Sequence, residues 1–207
     1  MKVLMINGSP HANGNTAIAL EEMNKVFLAE GIETELVQVG HRDIRGCIGC
    51  RSCKEKGKCV FDDAVNATAK SFEEADGIVV ASPVYYASAN ATLIAFLDRL
   101  FYSTPFDKTM KVGASVVTAR RGGMSSTFDD LNKYFTISGM PIVPSQYWPM
   151  VHGAAPEDVE KDEEGLQIMR QLARNLAWMV KSFALAREHG ILPPAPESER
   201  KRTNFIR

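Results

Sequence analysis

The fold of this chain is decided at residues 2–16, KVLMINGSPHANGNT. Residues 2–7 form a short, largely apolar run, which predicts a buried strand. The glycine-containing segment after it predicts a turn, and a helical pattern follows from about residue 15 to residue 30. Because the free N–H groups and the dipole of a helix N-terminus attract anions, this strand–turn–helix unit predicts a phosphate site.

The donors in this loop are neutral. The loop has neither the Gly-Lys-Ser/Thr of a Walker A loop nor the Gly-x-Gly-x-x-Gly of a dinucleotide-binding loop. It offers backbone N–H groups, the hydroxyls of Ser9 and Thr16, and the amides of Asn13 and Asn15. This set suits a terminal monophosphate held without a metal better than a triphosphate or a pyrophosphate.

Strand and helix patterns alternate along the rest of the chain. Further strands are predicted at 34–39, 77–82, 111–119 and within 141–148, and further helices near 62–74, 89–102, 125–138 and 163–189. This alternation predicts a three-layer α/β sandwich, with a five-stranded parallel sheet and helices on both faces. The order 2-1-3-4-5, as in the flavodoxin-like fold, puts the half-polar second strand and the last strand, which carries Pro144, on the edges.

The length of 207 residues suits one such domain. Residues 1–190 are predicted to form it, with a cysteine-rich loop at 45–60. Residues 191–207, which are rich in proline and charge, are predicted to form an extended C-terminal tail.

Composition narrows the class of protein. With 24 basic and 25 acidic side chains the formal net charge is -1, so neither nucleic acid nor an anionic membrane is an expected partner. No apolar run approaches the roughly 18 residues of a membrane helix. A strand that begins at Lys2 leaves no room for a signal peptide, so we expect a cytoplasmic protein with reduced thiols.

Three loops are expected to converge on one ligand, because open α/β sheets bind ligands beyond the carboxyl ends of their central strands. The first loop suits a phosphate. The second offers tyrosines and a proline-fixed turn for a flat ring, and the third offers glycine-freed N–H groups and two guanidinium groups. These two loops comprise Pro83, Val84, Tyr85, Tyr86 and Ala87, and Thr118, Ala119, Arg120, Arg121, Gly122 and Gly123. A phosphate joined to a planar, hydrogen-bonding ring describes flavin mononucleotide (FMN).

The motifs in these loops resemble those of the NAD(P)H-dependent FMN reductases of the flavodoxin-like superfamily. They are Gly8-Ser9-Pro10, Gly14-Asn15-Thr16, Ser82-Pro83-Val84-Tyr85 and Asp98-Arg99. The resemblance covers residues 1 to about 150. Arg99, near the end of a predicted helix, is expected to form a salt bridge or a subunit contact. The resemblance implies that Pro83–Ala87 and Thr118–Gly123 embrace the isoalloxazine ring. It also implies that the FMN phosphate is held by Ser9, His11, Asn13, Gly14, Asn15 and Thr16.

All four cysteines follow the predicted second strand, in the spacing C-x2-C-x2-C-x5-C: Cys47, Cys50, Cys53 and Cys59. Zinc sites usually take two pairs that lie further apart in sequence. A disulfide between Cys47 and Cys50 would leave the other two unexplained. A 4Fe–4S cluster suits the spacing best, because three close thiolates can wrap one face and a fourth can close it. Free or redox-active thiols and zinc remain alternatives.

This cysteine motif resembles that of the iron–sulfur flavoproteins, which pass electrons between a 4Fe–4S cluster and FMN within a homo-oligomer. The resemblance implies a homodimeric or homotetrameric FMN-dependent oxidoreductase. Electrons would pass from NAD(P)H or the cluster through FMN to a small-molecule acceptor or a redox protein. We expect no catalytic side chain, since the cofactor carries the chemistry. The alternative is a non-enzymatic electron carrier or redox sensor for a protein partner.

Overall fold

Strands and helices alternate in the computed structural model, which describes residues 1–195, 197, 199, 201, 203 and 205. The strands are β1 (Lys2–Asn7), β2 (Glu33–Gln38), β3 (Gly77–Tyr85), β4 (Ser88–Ala89), β5 (Val112–Ala119) and β6 (Met150–His152). The helices are α1 (Asn15–Ala29), α2 (Cys53–Lys56), α3 (Ala64–Glu74), α4 (Ala91–Ser103), α5 (Met124–Ile137), α6 (Pro156–Val159) and α7 (Glu163–Glu188).

Five of the strands form a parallel sheet in the order β2-β1-β3-β5-β6. This order confirms the predicted 2-1-3-4-5 arrangement and the edge position of the half-polar second strand. The short β4 was not predicted. It pairs antiparallel with the end of β3 through a two-residue turn at Tyr86 and Ala87, which both have positive φ.

The residue range predicted for the last strand was wrong, although its edge position was right. Within 141–148 only an isolated parallel bridge forms, between Ile142 and Gly113, and the paired strand begins at Met150. The backbone N–H of Val143 donates to Gly113, but the next residue is Pro144, which has no N–H to continue the ladder. The chain therefore leaves β5 and rejoins it at Pro149, whose carbonyl oxygen accepts a hydrogen bond from the Val117 N–H at 3.0 Å.

Both faces of the sheet are covered, and β1 shows how. Val3 and Met5 belong to the core on the side of α1 and α7, whereas Leu4 and Ile6 belong to the core on the side of α3, α4 and α5. All four side chains are buried. Because neighbouring side chains of a strand point to opposite faces, a strand that is buried on both sides needs apolar side chains at successive positions.

The predicted C-terminal tail, residues 191–207, falls in part outside the described residues. Residues 191–195, its described beginning, have neither helix nor strand. Among the described helices, none combines the length and the apolar character needed to cross a membrane.

Candidate functional site

A cleft of about 840 Å³ opens at the carboxyl ends of β1, β3 and β5. Its volume is in the range of pockets that hold small molecules and cofactors. It is lined by Ser9, Pro10, His11, Ala12, Asn13, Gly14, Asn15, Thr16, Pro83, Val84, Tyr85, Thr118, Ala119, Arg120, Gly153, Ala154, Ala155 and Pro156. The three loops singled out in the sequence therefore meet around one cleft.

The N-terminus of α1 opens into this cleft. The helices α3, α4 and α7 are preceded by the N-cap residues Asp63, Asn90 and Asp162, whose side chains each accept a hydrogen bond from a backbone N–H of the first turn. By contrast, α1 begins after Gly14, which has no side chain with which to cap it. Because the first N–H groups of a helix have no acceptor within it, they remain available to an anion in the cleft.

Two of the predicted phosphate ligands are engaged with the protein. The buried hydroxyl of Thr16 lies 2.8 Å from that of Thr118, and the Asn15 amide donates to the carbonyl oxygen of Gly153 at 2.7 Å. Both side chains therefore tie α1 to other walls of the cleft. The backbone N–H groups of the loop and the exposed Asn13 remain the more accessible donors.

Ser9 and His11 shape the turn itself. The hydroxyl oxygen of Ser9 accepts a hydrogen bond from the His11 N–H at 3.1 Å, and the His11 side chain is exposed. Gly40 packs against this turn so closely that a Cβ atom there would stand 2.2 Å from the Gly8 carbonyl oxygen. Glycine at position 40 is therefore required by the path of the loop that follows β1.

The loop after β3 contributes only part of its predicted set to the cleft. Pro83, Val84 and Tyr85 line it, whereas Tyr86 is fully exposed at the tip of the β3–β4 turn. Of the described residues that were predicted to contact a ring, Tyr86, Ala87, Arg121, Gly122 and Gly123 are not in the cleft lining. Their contact with a ring stays a prediction.

One wall of the cleft was missed in the sequence. It consists of Gly153, Ala154, Ala155 and Pro156, which follow β6. The signal was present, because this loop also follows the carboxyl end of a parallel strand. Placing the last strand within 141–148 put that end too early in the chain.

The four cysteines line a second, small cavity of about 20 Å³. Its other walls include the apolar side chains of Ile48, Val60 and Phe61. Across the described residues, no group of three His, Cys, Asp or Glu side chains is placed to hold a single metal ion. Four free thiols around one cavity nevertheless match the donor set of a 4Fe–4S cluster, which spreads its ligands more widely than one ion does.

The surroundings of Cys50 favour the thiolate form of its side chain. Hydrogen bonds from Ser52 lower the pKa of the exposed Cys50 thiol below its ordinary value. Because the thiolate is the form that binds a metal, a lowered pKa assists ligation.

Arg99 approaches the same cavity from α4, in an ion pair with Asp63, which is one of the two roles expected for it. It is 1% exposed, and it forms two hydrogen bonds with the Asp63 carboxylate, of 2.6 and 3.0 Å. Its Nε–H donates to Cys59 Sγ at 3.2 Å. Burial alone would lower the pKa of Arg99, but the hydrogen bonds to Asp63 and Cys59 raise it, so the guanidinium is charged.

Comparison with known proteins agrees with this geometry. Residues 1–155 match the model of the NADPH-dependent FMN reductase family. The chain is 38% identical over 193 residues to an iron–sulfur flavoprotein of Methanocaldococcus jannaschii, covering 87% of this chain and 98% of that protein. It is 31% identical to an iron–sulfur flavoprotein of Methanosarcina thermophila, covering 85% of this chain and 93% of that protein.

Solved structures support the fold. RosB, whose structure contains 8-demethyl-8-formylriboflavin-5'-phosphate, superposes with a TM-score of 0.70 at 15% identity, covering 99% of this chain and 92% of RosB. A flavodoxin from the domain Archaea gives a TM-score of 0.60 at 15% identity, covering 87% of this chain and 99% of that one. The chain therefore belongs to the NADPH-dependent FMN reductase family, within its iron–sulfur flavoproteins, and is a redox flavoprotein with the flavodoxin-like fold.

Proposed function

We propose that this chain is an FMN-dependent oxidoreductase that takes electrons from NAD(P)H or from a 4Fe–4S cluster and passes them to a small acceptor. The observation that carries the proposal is the uncapped N-terminus of α1 inside a cleft bordered by the β3 and β5 loops. A phosphate is favoured at the N-terminus of α1, and a flat ring has room between the loops that follow β3 and β5.

The residues of the cleft would position the cofactor. The loop of Ser9–Thr16 would hold the phosphate, and Pro83–Tyr85 and Thr118–Arg120 would hold the ring. Bound FMN supplies the electron-transfer chemistry, which protein side chains lack. The chain contributes orientation and charge: Arg120 is among the lining residues, and its positive charge would favour a ligand that gains negative charge.

The thiols of Cys47, Cys50, Cys53 and Cys59 would hold the cluster, which supplies one-electron transfer. Because the cavity between them is small, the four side chains would have to spread apart around it. Helix α4 contacts both sites: Asn90, at its start, donates to the Gly8 carbonyl oxygen, and Arg99 donates to Cys59. Nine residues of helix separate these two contacts by about 14 Å along the axis.

Binding of FMN is tested by titrating flavin-free protein with FMN and with riboflavin, which lacks the phosphate. We expect FMN to bind at least about tenfold more tightly, the equivalent of ~1.4 kcal/mol. Replacement of the exposed Asn13 by Asp adds a like charge beside the phosphate, so it should weaken FMN binding and leave riboflavin binding unchanged. If the parent protein binds FMN and riboflavin with equal affinity, the loop of Ser9–Thr16 does not bind the phosphate.

The cluster is tested by iron analysis after anaerobic reconstitution. We expect about four irons per chain, and each single Cys→Ser substitution should reduce the iron content sharply while flavin is retained. Glu55→Gln is the matched control, since Glu55 is exposed in the same loop, does not line the cavity and carries no thiol. An iron-free parent protein with four titratable thiols would leave a flavoprotein with a redox-active or unused cysteine loop.

One observation favours an electron carrier as the second candidate. Cys47 and Cys50 are exposed, so a cluster held there is within reach of a partner protein. Steady-state oxidation of NADH and NADPH with added quinone distinguishes the two, because an oxidoreductase turns over with the small acceptor. No turnover with either nucleotide, in a protein that holds both cofactors, would favour the carrier.

We also propose that the chain assembles into a homodimer or homotetramer. Tyr147 and Trp148 are more than half exposed and contact each other, with ring centroids 5.3 Å apart, beside an apolar groove. Large exposed aromatic side chains of this kind are frequent at protein interfaces. Light scattering of the FMN-loaded protein should show the oligomer, and a monomer at micromolar concentration would contradict it.

A further inference from the structure

Each of the five N–H groups of the Arg99 guanidinium has a hydrogen-bond acceptor, and one of these acceptors is a sulfur atom. The two Asp63 oxygens accept two of these hydrogen bonds, and the carbonyl oxygens of Phe61 and Arg45 accept one each, at 3.2 and 3.1 Å. The fifth acceptor is Cys59 Sγ, at 3.2 Å from Nε. One buried cation therefore joins α4 to both ends of the cysteine loop and to one of its thiols.

The ion pair is oriented relative to the cysteine cavity. Arg99 lines the cavity together with the four cysteines, whereas Asp63, at the N-terminus of α3, is not part of the lining. The guanidinium is thus the member of the pair that faces the thiols. An arginine that served only to anchor the loop would need its carboxylate and carbonyl partners. It would not need to place its guanidinium beside the cysteine thiols.

We propose that Arg99 is a positioning residue for the iron–sulfur site, which holds Cys59 in place and raises the reduction potential of the cluster. The inference rests on the proposed cluster site. Reduction adds negative charge to a cluster, so a nearby cation and an N–H···S hydrogen bond stabilise the reduced state. Burial strengthens both effects, because water does not screen a charge that is 1% exposed.

The proposal makes opposite predictions for the two members of the ion pair. Arg99→Gln removes a positive charge beside the cluster and leaves Asp63 unbalanced, so the potential should become more negative. Asp63→Asn removes the carboxylate that offsets Arg99, so the potential should become more positive. Asn still caps α3, where Asp63 accepts from the Val65 N–H, so the second variant changes charge with little change in the helix.

Two further variants separate charge from position. Arg99→Lys keeps the charge but loses the Nε–H that reaches Cys59, so it should shift the potential in the same direction as Arg99→Gln and by less. Arg45→Gln removes an exposed guanidinium from the same loop, while the Arg45 carbonyl oxygen that Arg99 contacts is kept. Because water screens an exposed charge, this control should leave the potential unchanged.

The experiment is a spectroelectrochemical titration of the anaerobically reconstituted, FMN-loaded full chain, with iron content measured for each variant. Opposite shifts for Arg99→Gln and Asp63→Asn, with no shift for Arg45→Gln, support the proposal. If Arg99→Gln loses its iron, Asp63→Asn and Arg99→Lys still decide, and the same directions support it.

A merely structural role would give a different pattern. If Arg99→Gln and Asp63→Asn keep their full iron content, they could leave the potential unchanged or shift it in the same direction. Either result would overturn the proposed role of Arg99 and leave the proposed cluster site standing. A parent protein that takes up no iron would instead overturn the proposed cluster, and this inference with it.

Discussion

The hydroxyl oxygens of Thr16 and Thr118 lie 2.8 Å apart, where the first turn of α1 meets the end of β5. Both side chains are buried, at 1% and 2% exposure. One hydroxyl donates to the other, so this hydrogen bond joins the loop proposed to hold the phosphate to a loop proposed to hold the ring. Two residues that are distant in sequence therefore fix the relative position of these two walls of the cleft.

Removal of either hydroxyl should lower the free energy of unfolding. Removal of both should lower it by less than the sum of the two single losses. Thr16→Val and Thr118→Val each leave one buried hydroxyl without its partner, at about 1–3 kcal/mol of unfolding free energy. The double variant replaces both by apolar groups of similar shape, so its loss should be smaller than the sum of the two. Denaturant unfolding of the parent, the two single variants and the double variant gives the free energies of this double-mutant cycle.

The same cycle tests whether Thr16 also binds the phosphate. If it does, the double variant should regain stability while its affinity for FMN stays reduced relative to riboflavin. Recovery of both quantities together would mean that Thr16 acts only through Thr118.

Gly40→Ala should impair the phosphate loop without changing any residue that lines the cleft. Its Cβ atom would stand 2.2 Å from the Gly8 carbonyl oxygen and 2.3 Å from the Ser9 carbonyl carbon, so the backbone of the loop must move. We expect a loss of about 2 kcal/mol or more in stability, of the order of other overpacking changes, and at least tenfold weaker FMN binding. Gly46→Ala is the control, because a Cβ atom there meets nothing within 4 Å. Similar behaviour of the two variants would show that the contact at Gly40 is not limiting.

The start of the chain was predictable because its signals are local. An apolar run, a glycine turn and a helical pattern lie consecutively in residues 2–30, and each was found where expected. The last strand was not, because three residues, Met150–His152, become a strand only through pairing with the end of β5. The apolar pair Ile142-Val143 is locally just as strand-like, and proline positions rather than hydrophobicity decide between the two segments.

For the site, chain order and the rule for parallel sheets were enough to find three of the four loops around the cleft. The contacts that organise the site were not predictable, since they join residues that the fold alone brings together. Thr16 to Thr118 and Arg99 to Cys59 are such pairs. The sequence predicted a phosphate ligand at Thr16 and a salt bridge or subunit contact at Arg99, but it did not identify the partner of either side chain.

Asn90 should be sensitive to substitution because it serves two elements. Its Oδ1 accepts from the Thr92 N–H at 2.9 Å, capping α4, and its Nδ2 donates to the Gly8 carbonyl oxygen at 2.7 Å. Asn90→Ala loses both, and we expect about 2–3 kcal/mol of destabilisation. Asn90→Asp keeps the cap but cannot donate to Gly8, so it should retain helix stability and still weaken FMN binding. Thermal unfolding and FMN titration give the two readouts, and an Asn90→Asp variant with parental FMN affinity would contradict the link to Gly8.

Glu22 adds an ion pair to the apolar packing of α1 against α7. Arg170 donates to its carboxylate at 2.5 Å and Lys25 contacts it at 3.2 Å, and its side chain is 16% exposed. Burial would raise the pKa of Glu22, but the hydrogen bonds from Arg170 and Lys25 outweigh it and lower the pKa below the ordinary 4.5. Because the unfolded chain then binds the proton more tightly, acid favours unfolding.

Glu22→Gln should therefore reduce stability in a pH-dependent way. At pH 7 we expect a loss of about 1 kcal/mol, since the partly exposed Arg170 is screened by water. This stabilisation is fully present above the unfolded-state pKa of 4.5 and disappears as the pH falls through the lower, folded-state pKa. Glu30→Gln is the matched control, because Glu30 joins the same two helices through Lys181 in a more exposed pair and should cost less. Urea unfolding of the parent and both variants between neutral and acidic pH measures the difference. A loss for Glu22→Gln that stays constant with pH would show that the ionised carboxylate does not stabilise the packing of α7 on α1.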